Sequence, residues 1–203
     1  MKRITAQPAA RGARGISGCV ALSLLSIVLF SGVHSSTAAS PRVSEEYRVK
    51  LAFVYNFTKF IQWPDSAFTK DTDPFVIGLV GDDPFASIID DNLKNQTVGS
   101  RRIEIRRFPG TGKEAREGME DCHLLFVNLP EAKDLAEVVA LLKKTPALTI
   151  GDKDGFAGSG GMIEFYLLDG KVRFRINLPA TQAAGLKPSS KLLKLADVIE
   201  GGK

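Results

Sequence analysis

Phe75 to Phe85 reads Phe-Val-Ile-Gly-Leu-Val-Gly-Asp-Asp-Pro-Phe. An almost unbroken apolar run followed by Gly81, two aspartates and Pro84 predicts a strand buried on both faces that turns directly into a helix. Asp82 or Asp83 can cap that helix, and Pro84 suits its first position, where a missing amide hydrogen costs nothing. Such a strand belongs at the core of an α/β sheet. The crevice beyond its end is the usual ligand position in open α/β sheets, which makes Asp82, Asp83 and Phe85 candidate crevice residues. Two carboxylates there suit helix capping and repel phosphate.

Further along, the same logic finds more of the sheet. Cys122 to Leu129 reads as a second core strand, followed by a helix over Glu131 to Lys144 with Leu135, Val138, Val139 and Leu142 facing inward. Ala147 to Gly151 gives a third short buried strand. Helices are expected over Pro84 to Leu93 and around Lys113 to Gly118. Val98 to Phe108 alternates as a half-exposed strand whose four arginines read as a solvated or edge-protecting face. Alternating strands and helices predict a mostly parallel sheet covered on both faces, a three-layer α/β/α sandwich. Met162 to Leu168 and Val172 to Asn177, joined by Asp169-Gly170, then predict an antiparallel hairpin at the carboxy-terminal side. A short helix from Pro179 to Ala184 and a final one introduced by Ser189-Ser190, carrying Leu192, Leu193, Leu195, Ala196 and Ile199, complete the expectation.

Upstream of the core strand, Ser44 is expected to cap a helix from Glu45 to about Gln62, ended by Trp63-Pro64. Tyr47, Leu51, Val54 and Ile61 fall on one side of it, and Val49, Phe53, Phe57 and Phe60 gather on another. Arg48, Ala52, Asn56 and Lys59 form the weaker arc. That apolar coverage exceeds the stripe a surface helix needs. Either the helix is wedged between sheet and a second helix, or Val49, Phe53, Phe57 and Phe60 meet another subunit or partner.

Residues 1–39 have the three parts of a cleavable secretory signal: Lys2, Arg3, Arg11 and Arg14, an apolar core from Val20 to Phe30, and Thr37-Ala38-Ala39. Cys19 precedes the apolar core, so lipidation there is not expected. Residues 40–203 then form a single domain. The chain holds 27 Lys and Arg against 23 Asp and Glu, but the leader takes four of the cations and none of the acids. The remaining domain is near neutral, which gives nucleic-acid binding no electrostatic footprint. Cys122 is its only cysteine, so no internal disulfide is expected.

Motifs for chemistry are missing. The glycine-rich stretch Gly151 to Gly161 matches neither phosphate-binding pattern and enters a hairpin strand instead of a helix. His123 lies inside the second core strand, where a hydrogen-bonded structural role is the ordinary one. There is no zinc or calcium spacing and no nucleophile elbow, so the reading is a non-enzyme without cofactor or metal.

Five short runs in order carry a resemblance: Tyr55-Asn56-Phe57-Thr58-Lys59-Phe60-Ile61-Gln62-Trp63-Pro64, Gly81-Asp82-Asp83-Pro84-Phe85, Cys122-His123-Leu124-Leu125-Phe126, Leu148-Thr149-Ile150-Gly151-Asp152 and Val172-Arg173-Phe174-Arg175-Ile176-Asn177. Together, from about Glu45 to Ile199, they resemble the YfiR family (YfiR/HmsC) of periplasmic proteins. The resemblance implies a dimeric repressor that binds an inner-membrane diguanylate cyclase of YfiN type and restrains cyclic di-GMP synthesis and biofilm formation. It also implies relief by an outer-membrane lipoprotein of YfiB type. Relatives often pair the cysteine before the His-Leu-Leu-Phe run with one on the preceding core strand, where Gly78 stands here. The alternative function is a periplasmic small-ligand sensor using the crevice at Gly81 to Phe85 and the Gly151 to Gly161 loop.

Overall fold

A computed structural model describes residues 41–85 and 88–200 of the chain. The expected signal segment, with Cys19, lies outside the described residues. Helix α1 (Pro41–Phe60) leads to a two-residue strand β1 (Ile61–Gln62), a 3-10 turn at Asp65–Ala67 and the core strand β2 (Phe75–Gly81). Then follow α2 (Ile89–Leu93), β3 (Thr97–Val98), β4 (Arg101–Phe108), α3 (Lys113–Glu120), β5 (Leu124–Asn128), α4 (Ala132–Leu142) and β6 (Leu148–Gly151). The carboxy-terminal part holds β7 (Ile163–Leu168), β8 (Lys171–Asn177), α5 (Leu178–Ala183), β9 (Lys187–Pro188), α6 (Ser190–Leu193) and β10 (Asp197–Ile199).

Eight strands form one sheet in the order β10-β8-β7-β6-β5-β2-β4-β3. Neighbours from β4 through β7 are parallel, β7 and β8 are antiparallel, and β10 returns parallel to β8. The alternation of side chains along β2 explains why helices flank both faces. Phe75, Ile77 and Leu79 enter one core with Leu51, Val54 and Phe57 of α1 and Ile89 and Leu93 of α2. Val76 and Val80 enter a second core with Met119 of α3 and Leu135, Val138 and Leu142 of α4. The three-layer α/β/α arrangement follows, as the apolar strand and the amphipathic helices predict.

The hairpin turn also forms as its dipeptide predicts. Asp169 has φ 52° and Gly170 φ 71°, the pair of positive values that a type I′ turn requires. Ser189 caps α6, its hydroxyl accepting from the Leu192 N–H at 3.3 Å.

Four expectations need correction. The first helix starts at Pro41, so Ser44 lies within it instead of capping it, and it stops at Phe60, because Ile61 and Gln62 pair antiparallel with Pro188 and Lys187. Core strand β2 is followed by a turn, and α2 starts only at Ile89; the Asp83 carboxylate accepts from the Phe85 N–H at 2.9 Å and shapes that turn instead of capping a helix at Pro84. The Val98 to Phe108 strand is folded back at Gly99-Ser100, so that Val98 and Thr97 pair with Arg101 and Arg102. The final helix ends after one turn, and Asp197–Ile199 joins the sheet. In the first, third and fourth cases an open backbone edge captured residues that local pattern alone assigned elsewhere.

Candidate interaction surface and the strand-end crevice

The second apolar group on α1 is split by its distance from the buried side. At about 100° per residue, Phe57, Phe53, Phe60 and Val49 lie roughly 60°, 100°, 120° and 140° from the direction of buried Val54. Exposure follows that order. Phe57 is fully buried, Phe53 half-buried, Phe60 37% exposed and Val49 41% exposed. Phe57 is seated between Phe165 and Phe174, at centroid distances of 5.8 and 5.0 Å. It belongs to the core and is unavailable to a partner, a correction to its grouping with the other three. Phe53 covers the same pair of rings from outside, at 6.0 and 5.3 Å.

The apolar surface extends beyond α1. Leu167 and Val172 form the next cross-strand pair on the face that carries Phe165 and Phe174; Leu167 is 53% exposed. At the other end of the helix the Phe60 carbonyl accepts from the Ser189 N–H at 2.8 Å, tying α1 to the entry of α6. Leu195, two residues past α6, is 67% exposed. Sequence reading missed Leu167 and Leu195. The available signal was Leu167-Leu168 directly before the Asp-Gly turn: with side chains alternating, a hairpin tip cannot bury both.

The crevice beyond the parallel strands is filled from within. Phe85 is fully buried, with Phe126 edge-on at 4.7 Å and Tyr47 edge-on at 5.5 Å. The Tyr47 hydroxyl donates to Asp152 Oδ2 at 2.9 Å, and Lys50 Nζ contacts the same oxygen at 2.8 Å and Glu46 at 2.5 Å. Burial, then the Asp152 charge, drives the Tyr47 hydroxyl pKa far above its usual value. This network pins the start of α1 over the end of β6. Lys50, almost fully buried, is acceptable there because both carboxylates pair it. Asp83 is held by Arg107 Nε at 2.9 Å, and the Asp82 N–H donates to the Asn128 carbonyl at 3.1 Å. Of the three crevice residues only the Asp82 side chain is exposed.

The glycine-rich loop is a seat for an aromatic ring. Phe156 is fully buried in the second core. A Cβ on Gly151 or Gly161 would come within 2.8 or 2.2 Å of its ring. The fully buried Glu164 carboxylate accepts from the Ala157 N–H at 2.8 Å and pairs with Arg175 at 3.2 Å, fastening the loop from below.

Three of the four arginines of β4 are used locally. Arg101 donates to the Lys70 and Asp73 carbonyls, Arg106 pairs with Glu104 at 2.9 Å, and Arg107 pairs with Asp83 and Asp90. Cys122 is a buried free thiol whose Sγ lies 3.4 Å from the Gly118 carbonyl, and burial pushes its pKa up to about 12. A Cβ placed on Gly78 would sit 3.0 Å from that sulfur, so a second cysteine at position 78 would reach it. With glycine there, thermal unfolding with and without reductant is expected to give coincident midpoints. A lower midpoint under reductant would mean a bridge between chains.

Among the described residues no group of three or more His, Cys, Asp and Glu side chains is placed to hold a metal ion, and no helix is long and apolar enough to cross a membrane.

Two solved structures share the fold. One is a conserved domain protein from Vibrio cholerae, 10% identical with a TM-score of 0.50, matched over 78% of this chain and 60% of that one. The other is the ABC domain from Streptococcus pneumonia in complex with L-Trp, 11% identical with a TM-score of 0.51 and the same coverage. This chain therefore spans less than two thirds of either structure. None of the curated proteins matches it. The model of the YfiR/HmsC-like family matches residues 47–197, from the Tyr47 that closes the crevice to the Asp197 that opens the last strand. The chain thus belongs to the YfiR/HmsC-like family.

Proposed function

We propose that this protein is a periplasmic negative regulator that binds an inner-membrane diguanylate cyclase of YfiN type and restrains cyclic di-GMP synthesis, and with it biofilm formation. The observation that carries the reading is family membership over nearly the whole described domain, joined to an apolar surface of the kind that marks protein interfaces. Val49, Phe53 and Phe60 on α1, with Leu167 on the hairpin, are the proposed contact residues for the cyclase or for a second copy in a homodimer. A YfiB-like outer-membrane lipoprotein is the proposed antagonist, and residues 1–39 the cleaved export signal. A small-ligand sensor working through Asp82, Asp83 and Phe85 gains less support, since Tyr47 and Phe85 occupy that crevice themselves.

Deletion of the gene is expected to raise intracellular cyclic di-GMP and surface attachment. Restoring the wild-type gene should lower both, and a Phe60→Asp copy should fail to. An unchanged cyclic di-GMP level in a strain that carries the neighbouring cyclase would overturn the proposal.

A further inference from the structure

Segment 64–74 lies where the parallel strands begin, with Ala67 and Phe68 packed against the first core. The His123 Nε2–H donates to the Ala67 carbonyl at 3.0 Å. Arg101 Nη1 donates to the Lys70 and Asp73 carbonyls at 2.7 and 2.9 Å. Between these two anchors lies Phe68, its ring 4.4 Å from the imidazole on one side and 3.8 Å from the Arg101 guanidinium on the other. Phe75 packs against the same imidazole at 5.1 Å, its own ring 6.4 Å from that of Phe68.

The second ring nitrogen fixes the charge state. Nδ1 accepts from the Val76 N–H at 3.1 Å, and a backbone amide can only donate, so Nδ1 is bare and the ring neutral. A proton on Nδ1 would set two donors against each other and leave the buried Val76 amide without its acceptor. It would also place a second cation against Phe68, opposite Arg101.

We propose that His123 is an acid-sensitive latch: its neutral ring holds segment 64–74 across the amino-terminal ends of the strands, and its protonation releases that segment. The charges around the ring favour this sense. Burial is the main influence lowering its pKa, and Arg101 and Arg106 of β4 act the same way. The Ala67 carbonyl and Asp73, within the segment, oppose them. Neither β2 nor β6 carries an ionisable side chain.

Because the closed-state pKa lies below the ordinary value of about 6.5, the closed form is fully favoured above that pH. It loses ground as pH falls from there toward the lowered value, by up to about tenfold in the opening equilibrium per pH unit. The segment follows the end of α1, so release also loosens the end that carries Phe60. That consequence rests on the proposed function, whereas the latch itself does not.

Trp63 is the only tryptophan in the chain, and its Nε1–H donates to the His123 carbonyl at 3.1 Å, so its emission reports directly on the latch. For the purified protein, amide exchange in 64–74, corrected for its intrinsic pH dependence, is expected to rise up to about fivefold between pH 6.5 and 5.5. Trp63 emission should shift to the red over the same range, while α4 and β7 keep their protection. His123→Asn offers an acceptor to Val76 that does not titrate, and both profiles should become flat. Exchange in 64–74 that is unchanged between pH 7.5 and 5, that rises together with α4 and β7, or that keeps its pH dependence in His123→Asn would overturn the latch. Should His123→Asn fail to fold, the wild-type protein decides: segment-limited exchange and Trp63 emission sharing one midpoint below 6.5 support it, and separate midpoints overturn it.

Discussion

Phe57→Asp is expected to abolish the folded domain, while Phe60→Asp, three residues on, leaves it intact. Phe57 is fully buried among Phe53, Phe165 and Phe174. Removing such a ring costs about 3–5 kcal/mol through lost transfer energy and the cavity left behind. An unpaired carboxylate in the same place adds several kcal/mol more, and a domain of this size holds about 5–15 kcal/mol in all. The sum reaches the whole stability. Phe60 is 37% exposed, and its tie to α6 runs through a backbone carbonyl that substitution does not remove. Its replacement should cost about 1 kcal/mol. Circular dichroism and denaturant titration of the two variants provide the check. A cooperatively folded Phe57→Asp would show that α1 does not seat this ring in the core. A folded Phe60→Asp that no longer self-associates or binds the cyclase would place the interface on α1.

Much of the fold was legible because burial on two sides leaves a strong mark. Phe75 to Val80 has no polar residue, and every one of its positions is buried; only a strand with helices on both faces can use such a sequence. The Asp169-Gly170 turn was equally readable, since its dihedral angles exclude most other dipeptides. What escaped was decided by distant partners. Val198 and Ile199 continue a helical apolar pattern, yet they pair with Ile176 and Asn177 of β8 because that edge is otherwise open. Ile61 and Gln62 likewise exchange helix for a ladder with residues more than a hundred positions away.

Of the four α1 residues that the sequence groups together, Phe57 is buried in the core. Helical geometry places Val49, Phe53, Phe57 and Phe60 in one arc, but how far the sheet reaches around that arc depends on Phe165 and Phe174, which no local pattern ties to α1. The crevice failed for a similar reason. Local pattern marks a place beyond Gly81, but Tyr47, which with Lys50 contacts Asp152 a hundred residues further on, packs on Phe85 there. The glycine loop shows the converse. Its lack of a phosphate motif was plain, whereas the need for glycine at 151 and 161 emerges only once Phe156 is seen against them.

Trp63→Ala is expected to lower stability by about 3–5 kcal/mol, nearly all of it from the cavity. Trp63 is 9% exposed and meets Phe75 edge-on at 5.0 Å. Its indole N–H donates to the His123 carbonyl, but that carbonyl also accepts from the Leu148 N–H at 2.9 Å. Truncation therefore leaves no buried acceptor unpaired, and the loss is one of packing. With an unfolding entropy of about 2.1 cal/mol/K per residue, a domain of roughly 160 residues should lose about 9 to 15 °C in Tm. Trp63→Phe keeps most of the ring volume and should lose far less. Equal losses for the two would assign the effect to the hydrogen bond. An unchanged Tm for Trp63→Ala combined with lost partner binding would instead make Trp63 a recognition residue, and would remove it from the junction between the first helix and the core.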